Sequence, residues 1–231
     1  MRKYEMQYKE KISSDFGLVL YDCAKISEAK RHYDTIAVSG RFGELVSQEN
    51  YRSNITIECY LAVLNGHTTQ QVRNLKEWLS GTGNLQFSDS PETFYKVLKI
   101  SYVDLERKIR QYGRFTVSFL CKPVEYLLNG KSLYSIEQLE LNPYPLSFPI
   151  YKIKGNGKCT LNVNGNIMTA NVSQNLIIDT DLLQAYKDDG TLQNTSVTGD
   201  YESLRLIKGK NSIKISDGFD LKAIPNWGYD I

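Results

Sequence analysis

Pro149-Ile150-Tyr151-Lys152-Ile153-Lys154-Gly155 opens the stretch that decides the fold, and Ile224-Pro225-Asn226-Trp227 closes it. Between them, short runs of alternating apolar and polar residues are separated by Gly and Asn turns, without a convincing amphipathic helix. Alternation with a period of two is typical of strands that bury one face. Many short strands at this spacing predict a β-sandwich or jelly roll for residues 150–231.

Turn residues divide this stretch into predicted strands. Asn164-Gly165 is a strong two-residue hairpin signal, because both central positions of such a turn need a positive φ. Gly155-Asn156-Gly157 is interpreted as a second turn, and the polar residues 187–200 as loops. The strand that follows Asn164-Gly165 is therefore expected to pair back on the strand before it.

The first half of the chain is built differently, because it contains one helix among its strands. The clearest strand is Tyr51–Val63, whose odd-numbered positions from Ile55 onward are apolar. Thr68 and Gln71 have the spacing of a capping box, and an apolar stripe of helical period follows them up to Trp78 and Leu79. Gly81 is placed to end this helix. Thr93–Val103 and Tyr112–Val124 are long alternating runs that are expected to pair.

Prolines mark the expected junction between the two halves. Residues 142–149 hold three of the six prolines of the chain, which is typical of a stiff connection. We therefore predict a domain over residues 1–132, a linker over 133–149 and a second domain over 150–231. A chain of 231 residues is long for one domain.

The overall composition excludes several classes of protein. The formal net charge is +2, with 19 basic against 15 acidic residues in 1–132 and 9 against 11 in 133–231. This mild split does not favour specific nucleic-acid binding. No window approaches the roughly 18 apolar residues of a membrane helix, and the N-terminus lacks the apolar core of a signal peptide. We expect synthesis in the cytoplasm and no membrane insertion.

Residues that usually carry chemistry are sparse, so we predict no enzyme, no cofactor and no metal. The four cysteines are widely spaced, and Cys59 and Cys121 lie within apolar alternation. A His-dependent catalytic site would have to use His32 or His67, each interpreted as a surface or half-buried residue. Asp179 with Asp181 is a conceivable glycosidase pair, but turn capping explains these carboxylates more simply.

Aromatic residues leave a carbohydrate-binding alternative open. Sixteen tyrosines and two tryptophans could stack on sugars if a row of them lay exposed on one sheet. Most are expected to fill the core. Trp78 belongs to the helix stripe and is predicted to be buried, whereas Trp227 is the better interface candidate.

One segment is a candidate interaction arm. Arg41-Phe42-Gly43-Glu44 lies in a glycine-containing stretch of mixed charge between predicted strands. Such a stretch can extend and add to the sheet edge of a neighbouring subunit. These four residues are the predicted oligomer contact.

Two ordered sets of motifs resemble the distal tail proteins of long-tailed, non-contractile phages or prophages of Gram-positive bacteria. The first set runs from the arm through the helix to a turn before a Tyr-containing strand, as Arg41-Phe42-Gly43-Glu44, Ile55-Thr56-Ile57, Val72–Leu79, Gly83–Pro91 and Tyr95. The second set comprises Gly155, Leu161–Gly165, Ile178-Asp179, Tyr186, Gly209–Ile213 and Ile224–Trp227. The ending Trp227-Gly228-Tyr229-Asp230-Ile231 departs from the basic residue expected after the Trp.

The resemblance implies a structural protein of the virion tail tip. It implies an N-terminal β-sandwich or barrel-like domain with one α-helix, which forms a hexameric ring, and a C-terminal galectin-like domain. The ring would join the major tail (tube) protein to a tail-tip or baseplate protein. The C-terminal domain would support host adhesion, with a receptor-binding protein or a host cell-wall saccharide as a further partner. A carbohydrate-binding, lectin-like surface protein is the alternative.

Overall fold

The computed structural model describes residues 4–64 and 68–231. The fold is mainly β, which confirms the predicted class. Contacts divide the chain into two compact units, Met1–Glu125 with Ile231, and Tyr126–Asp230. The predicted limits of 1–132, 133–149 and 150–231 remain a prediction about which pieces fold independently.

The first unit consists of ten strands and two α-helices in its described part. The strands are β1 (Met6–Tyr8), β2 (Lys11–Ile12), β3 (Leu18–Leu20), β4 (Lys25–Ile26), β5 (Arg31–Ile36), β6 (Leu45–Arg52), β7 (Ile55–Val63), β8 (Gly83–Phe87), β9 (Thr93–Tyr102) and β10 (Arg114–Leu127). The helices are α1 (Thr69–Trp78) and α2 (Leu105–Tyr112). The last two residues of β10 belong to the second unit.

One sheet forms most of the first unit. Its strands follow the order β2-β1-β8-β9-β10-β7, and β3 and β4 both pair with β7. Strands β9 and β10 are hydrogen-bonded neighbours, which confirms the predicted pairing of the runs Thr93–Val103 and Tyr112–Val124. Antiparallel pairing of β7 with β10 sets Cys59 opposite Val117 and Ile57 opposite Phe119, all four buried. The alternation predicted for β7 therefore faces the core.

Helix α1 begins and packs as the sequence predicts. The Gln71 N–H donates to Thr68 Oγ1 at 3.2 Å, and the Thr68 N–H donates to Gln71 Oε1 at 2.9 Å. These bonds satisfy amides that the first turn leaves free. Trp78 is buried, stacks on Phe16 with ring centroids 4.3 Å apart, and donates its indole N–H to the Tyr8 carbonyl at 2.9 Å. The prediction that Trp78 belongs to the core is confirmed.

Helix α2 was not predicted, because only one helix was expected in this half of the chain. Leu105 and Ile109 are buried on its inner side, and the other described positions are charged or exposed. Gly113 ends the helix at φ 62°, a conformation that glycine adopts without steric cost. Two apolar residues four positions apart suffice to anchor an eight-residue helix on a core that already exists.

The second unit is built around long strands. Its strands are β11 (Tyr134–Ser135), β12 (Leu141–Asn142), β13 (Leu146–Ser147), β14 (Ile150–Val163), β15 (Asn166–Asp179), β16 (Gln184–Tyr186), β17 (Val197–Thr198), β18 (Gly209–Lys210), β19 (Ile213–Ile215), β20 (Asp220–Ile224) and β21 (Trp227–Asp230). A short helix, α3, spans Ile136–Leu139. The main sheet has the order β11-β20-β14-β15-β16, with β19 pairing β14 and β17 pairing β15.

The segment 133–149, predicted as a linker, contributes strands to the second unit. β11 pairs with β20, β12 with β18, and β13 with β21. Leu139 of α3 belongs to the buried cluster of this unit. The prolines of the segment coexist with these pairings because each strand is only two residues long.

A hairpin of β14 and β15 forms the centre of the second unit. The two strands pair without interruption from Ile150↔Asp179 to Val163↔Asn166. Asn164 and Gly165 make the turn with φ values of 53° and 90°, which confirms the predicted hairpin. The predicted turn at Gly155-Asn156-Gly157 is wrong, because these residues lie within β14. Gly155 has a φ of 151°, and the ring of Phe219 occupies the space that a side chain at this position would need.

Candidate assembly surface

Strands β5 and β6 form a hairpin that stands apart as its own two-stranded sheet, which we call the arm (residues 31–52). Pairing runs from Ile36↔Leu45 to Tyr33↔Gln48, with a register shift before Arg31↔Arg52. Every residue from 31 to 47 is exposed. An isolated two-stranded hairpin is at best marginally stable in water, so the arm lacks the burial that supports the other strands.

The base of the arm is tied to the first unit by hydrogen bonds. The Ser53 N–H donates to the Lys30 carbonyl at 3.0 Å, and His32 Nε2 and Ser53 Oγ lie 2.8 Å apart. The Ser27 N–H donates to the Thr56 carbonyl at 3.0 Å where β7 begins. These bonds fix where the arm leaves the fold.

The predicted contact residues lie at the tip of the arm. Arg41, Phe42, Gly43 and Glu44 lie in the turn between β5 and β6, and the side chain of Phe42 is fully exposed. Gly40 and Gly43 have φ values of 82° and 85°, so the tip uses the conformational freedom of both glycines. The structure places the four residues together, and their role as an oligomer contact stays a prediction.

Apolar side chains accompany the tip along both strands. Six large hydrophobic residues of the arm are exposed, namely Tyr33, Ile36, Val38, Phe42, Leu45 and Val46. They are divided between the two faces, since Ile36 lies opposite Leu45 on one face and Tyr33 and Val46 lie on the other. Exposed apolar groups that are concentrated on one segment usually mark a contact with another protein. The sequence prediction named only the four residues of the tip. A sequence signal was present in the apolar residues on either side of the glycines, namely Ile36 and Val38 before Gly40 and Leu45 and Val46 after Gly43.

The other predicted candidates lie in structural roles. His32 is an exposed arm residue, and His67 lies outside the described residues. Asp179 is buried and caps a turn, accepting the N–H groups of Asp181 and Leu182 at 2.9 Å each. Tyr186 donates its hydroxyl to the second Asp179 oxygen at 3.3 Å. The capping interpretation of Asp179 is confirmed.

Trp227 does not lie at an exposed interface as predicted. It is buried, with ring centroids 5.1 Å from both Tyr134 and Tyr144. Both tyrosines belong to the segment 133–149, whose short strands pair within the second unit, and their rings lie beside the indole. The interpretation of Trp227 as an interface residue is therefore wrong.

Cysteines and charged clusters show no sign of a reactive centre within the described residues. Burial raises the pKa of the Cys121 thiol to about 12 and raises that of Cys59 further, so both stay protonated at neutral pH. No group of three or more His, Cys, Asp or Glu residues in 4–64 and 68–231 is arranged to hold a metal ion. Nor is any helix in these ranges long and apolar enough to cross a membrane.

Comparison with known proteins points to phage tails. Residues 7–121 match the model of a family described as the phage tail protein RIFT-related domain. This match contains the arm and most of the sheet of the first unit. No curated protein sequence matches the chain significantly.

A solved structure has a similar fold over nearly the whole chain. It is that of the SPP1 Dit protein, which is described as a paradigm of the hub adsorption apparatus in Gram-positive infecting phages. The TM-score is 0.56 at 11% sequence identity, and the match covers 96% of this chain and 98% of that one. At this identity the likeness concerns the fold.

Proposed function

Because the chain belongs to the family of phage tail proteins with a RIFT-related domain, and is a structural protein of the distal-tail type, we propose that it forms a hexameric hub at the tail tip. The hub joins the major tail (tube) protein to a tail-tip or baseplate protein and supports host adhesion. It acts by assembly and not as an enzyme. The copy number of six and these partners come from the family resemblance.

The arm is the single observation that carries this proposal. It exposes six large apolar side chains and both edges of a two-stranded sheet. Pairing with the sheet edge of a neighbouring subunit would satisfy these edges and bury the apolar residues. A head-to-tail contact of this kind, repeated with a fixed rotation, closes a ring.

The adhesion role rests on the second unit. The SPP1 protein is described as a hub of an adsorption apparatus, and we extend that role to this chain together with the galectin-like character expected for the second unit. In this arrangement the second unit docks a receptor-binding protein or touches the host surface.

The test substitutes two apolar residues at the tip of the arm. In the full chain, Val38→Asp with Phe42→Asp should prevent rings that the unchanged protein forms when mixed with its tube and tip proteins. Buried charge without a partner opposes association strongly. Native mass spectrometry and negative-stain microscopy report the copy number, and urea unfolding reports whether the fold is intact.

A matched control carries the same chemical change elsewhere. Leu192 and Ile207 are exposed apolar residues of the second unit, and replacing both with Asp should leave rings unchanged. Rings that persist in the arm variant would place the contact elsewhere. A stable twofold dimer under every condition would overturn the hub itself.

A further inference from the structure

The outer side of the main sheet in the second unit carries a row of lysines, which we call the lysine face. In β14 the buried residues Tyr151, Ile153 and Leu161 alternate with outward-facing polar residues. Because the neighbouring strands pair with β14 without a register shift, residues opposite its outward-facing positions face outward too. The basic residues on the outer side are Lys152, Lys154 and Lys158 of β14, Lys214 of β19 and Lys222 of β20.

Four of the five lysines on the lysine face have no carboxylate directly opposite them on a paired strand, and the exception is Lys154. Lys152 lies directly opposite Lys222 on the adjacent antiparallel strand, and like charges in that position repel. Lys154 lies opposite the exposed Asp220, but neither residue takes part in an ion pair of the described chain. The same holds for Lys158 and Lys214. A bound anion would relieve the repulsion between Lys152 and Lys222.

An open groove continues the lysine face toward the Asn164-Gly165 turn. Its volume is about 450 Å³, and its lining includes Lys158, Thr160, Thr169, Asn171 and the β17-side residues Thr195, Ser196 and Thr198. Lys158 lies opposite Asn171, and Thr160 lies opposite Thr169. Both pairs face outward, because they alternate with the buried pair Cys159 and Ala170. The Asn171 side-chain amide has no hydrogen-bond partner in the described chain. The groove thus offers hydroxyl and amide groups beside a positive charge.

The chemistry of this surface selects among negatively charged partners. The exposed outer positions of β14 and β15, two strands that are described in full, carry no aromatic ring. The aromatic residue on this side of the neighbouring β16 is Tyr186, which lies opposite Ile177 and donates its hydroxyl to Asp179. Single-stranded nucleic acids and neutral sugars stack on aromatic rings. Protein interfaces are enriched in aromatic and Arg residues that anchor the partner. Lys ammonium groups suit phosphate as point charges. Hydroxyl and amide side chains suit a partner that is itself rich in hydroxyl groups.

We propose that the lysine face and its groove bind an anionic polymer of sugar or polyol units joined by phosphodiesters. Lysines two residues apart on one strand are about 7 Å apart, so successive phosphates of an extended polymer can meet successive ammonium groups. The groove holds the hydroxyl-bearing units. Insofar as this binding serves host adhesion it rests on the proposed function, but it takes place within one subunit and does not require the ring.

The experiment measures binding of the full chain to poly(glycerol phosphate). Lys152→Gln, Lys158→Gln and Lys222→Gln combined should weaken binding by at least about tenfold at low salt, because three favourable charge contacts are lost. Added salt should weaken binding by the unchanged protein, since exposed charges are screened over about 8 Å at physiological ionic strength. Lys99→Gln, Lys108→Gln and Lys208→Gln combined remove the same charge elsewhere and should stay within about twofold.

A second variant separates hydroxyl recognition from charge. Asn171→Ala should weaken binding of poly(glycerol phosphate) by about threefold, the size of one lost hydrogen bond, and leave binding of inorganic polyphosphate unchanged. The proposal fails if poly(glycerol phosphate) does not bind or if the control triple variant loses as much affinity. It also fails if polyphosphate or a thymidine oligonucleotide binds as tightly. Because ring formation is read by mass, its loss and the loss of binding are distinguishable.

Discussion

The molecule contains two long antiparallel hairpins that differ in almost every physical respect. The hairpin of β14 and β15 buries alternate residues along most of its length and lies at the centre of the second unit. The arm of β5 and β6 is exposed on both faces in its described side chains, and hydrogen bonds of its described residues tie it to the first unit at its base. Similar backbone pairing therefore accompanies a buried apolar face in one hairpin and exposed apolar side chains in the other.

The largest expected difference between the hairpins is in the cost of removing apolar atoms. Leu161→Ala in β14 should lower the free energy of unfolding by about 2–5 kcal/mol, because its side chain is fully buried and truncation leaves a cavity. Val46→Ala in the arm should change it by less than about 0.5 kcal/mol. Urea unfolding of both variants measures the contrast. Equal losses would mean that the arm is packed in solution.

A smaller effect is expected where β14 meets Phe219. Gly155→Ala should destabilise the protein by about 1–3 kcal/mol, because the new methyl group meets the Phe219 ring. Gly157→Ala is the control, since Gly157 also has a positive φ of 107° but has open space around it. Thermal unfolding of the pair separates the packing cost from the backbone cost. If Gly157→Ala costs as much, backbone strain alone explains both.

The smallest effect on stability is expected from cutting the arm. A broad-specificity protease should nick residues 37–44 first, because exposed tips with small and polar residues are preferred sites. The melting temperature of the nicked protein should shift by less than about 2 °C, since the tip contributes no burial. A first nick within 133–149 would instead favour the predicted linker. Mass spectrometry of the early fragments decides between the two sites.

Local chemistry made much of this fold predictable. The Thr68 and Gln71 capping box, the Asn164-Gly165 turn and the alternation of Ile55 to Leu61 each follow from a few neighbouring residues. Helix α2 was missed because its two buried residues give too weak a periodic signal. Gly155 was misinterpreted as part of a turn because its reason, the ring of Phe219, lies 64 residues away in sequence.

The candidate site was only partly predictable for the same reason. Two glycines and mixed charge identified the arm tip, but the pairing of Leu45–Arg52 with Arg31–Ile36 was not recognised. Trp227 was assigned to an interface because the sequence does not reveal that Tyr134 and Tyr144 cover it. Tertiary neighbours decide such cases, and a single sequence does not contain them explicitly.

The charged residues of the arm have a consequence for solubility before assembly. Arg31, Asp34, Arg41 and Glu44 are distributed along the same hairpin as its apolar side chains. Charges beside an open sheet edge oppose indiscriminate edge-to-edge aggregation. A free subunit can therefore stay dispersed while the apolar side chains of its arm remain exposed for the proposed contact. Neutralising these four residues should turn a soluble building block into one that precipitates with its own copies.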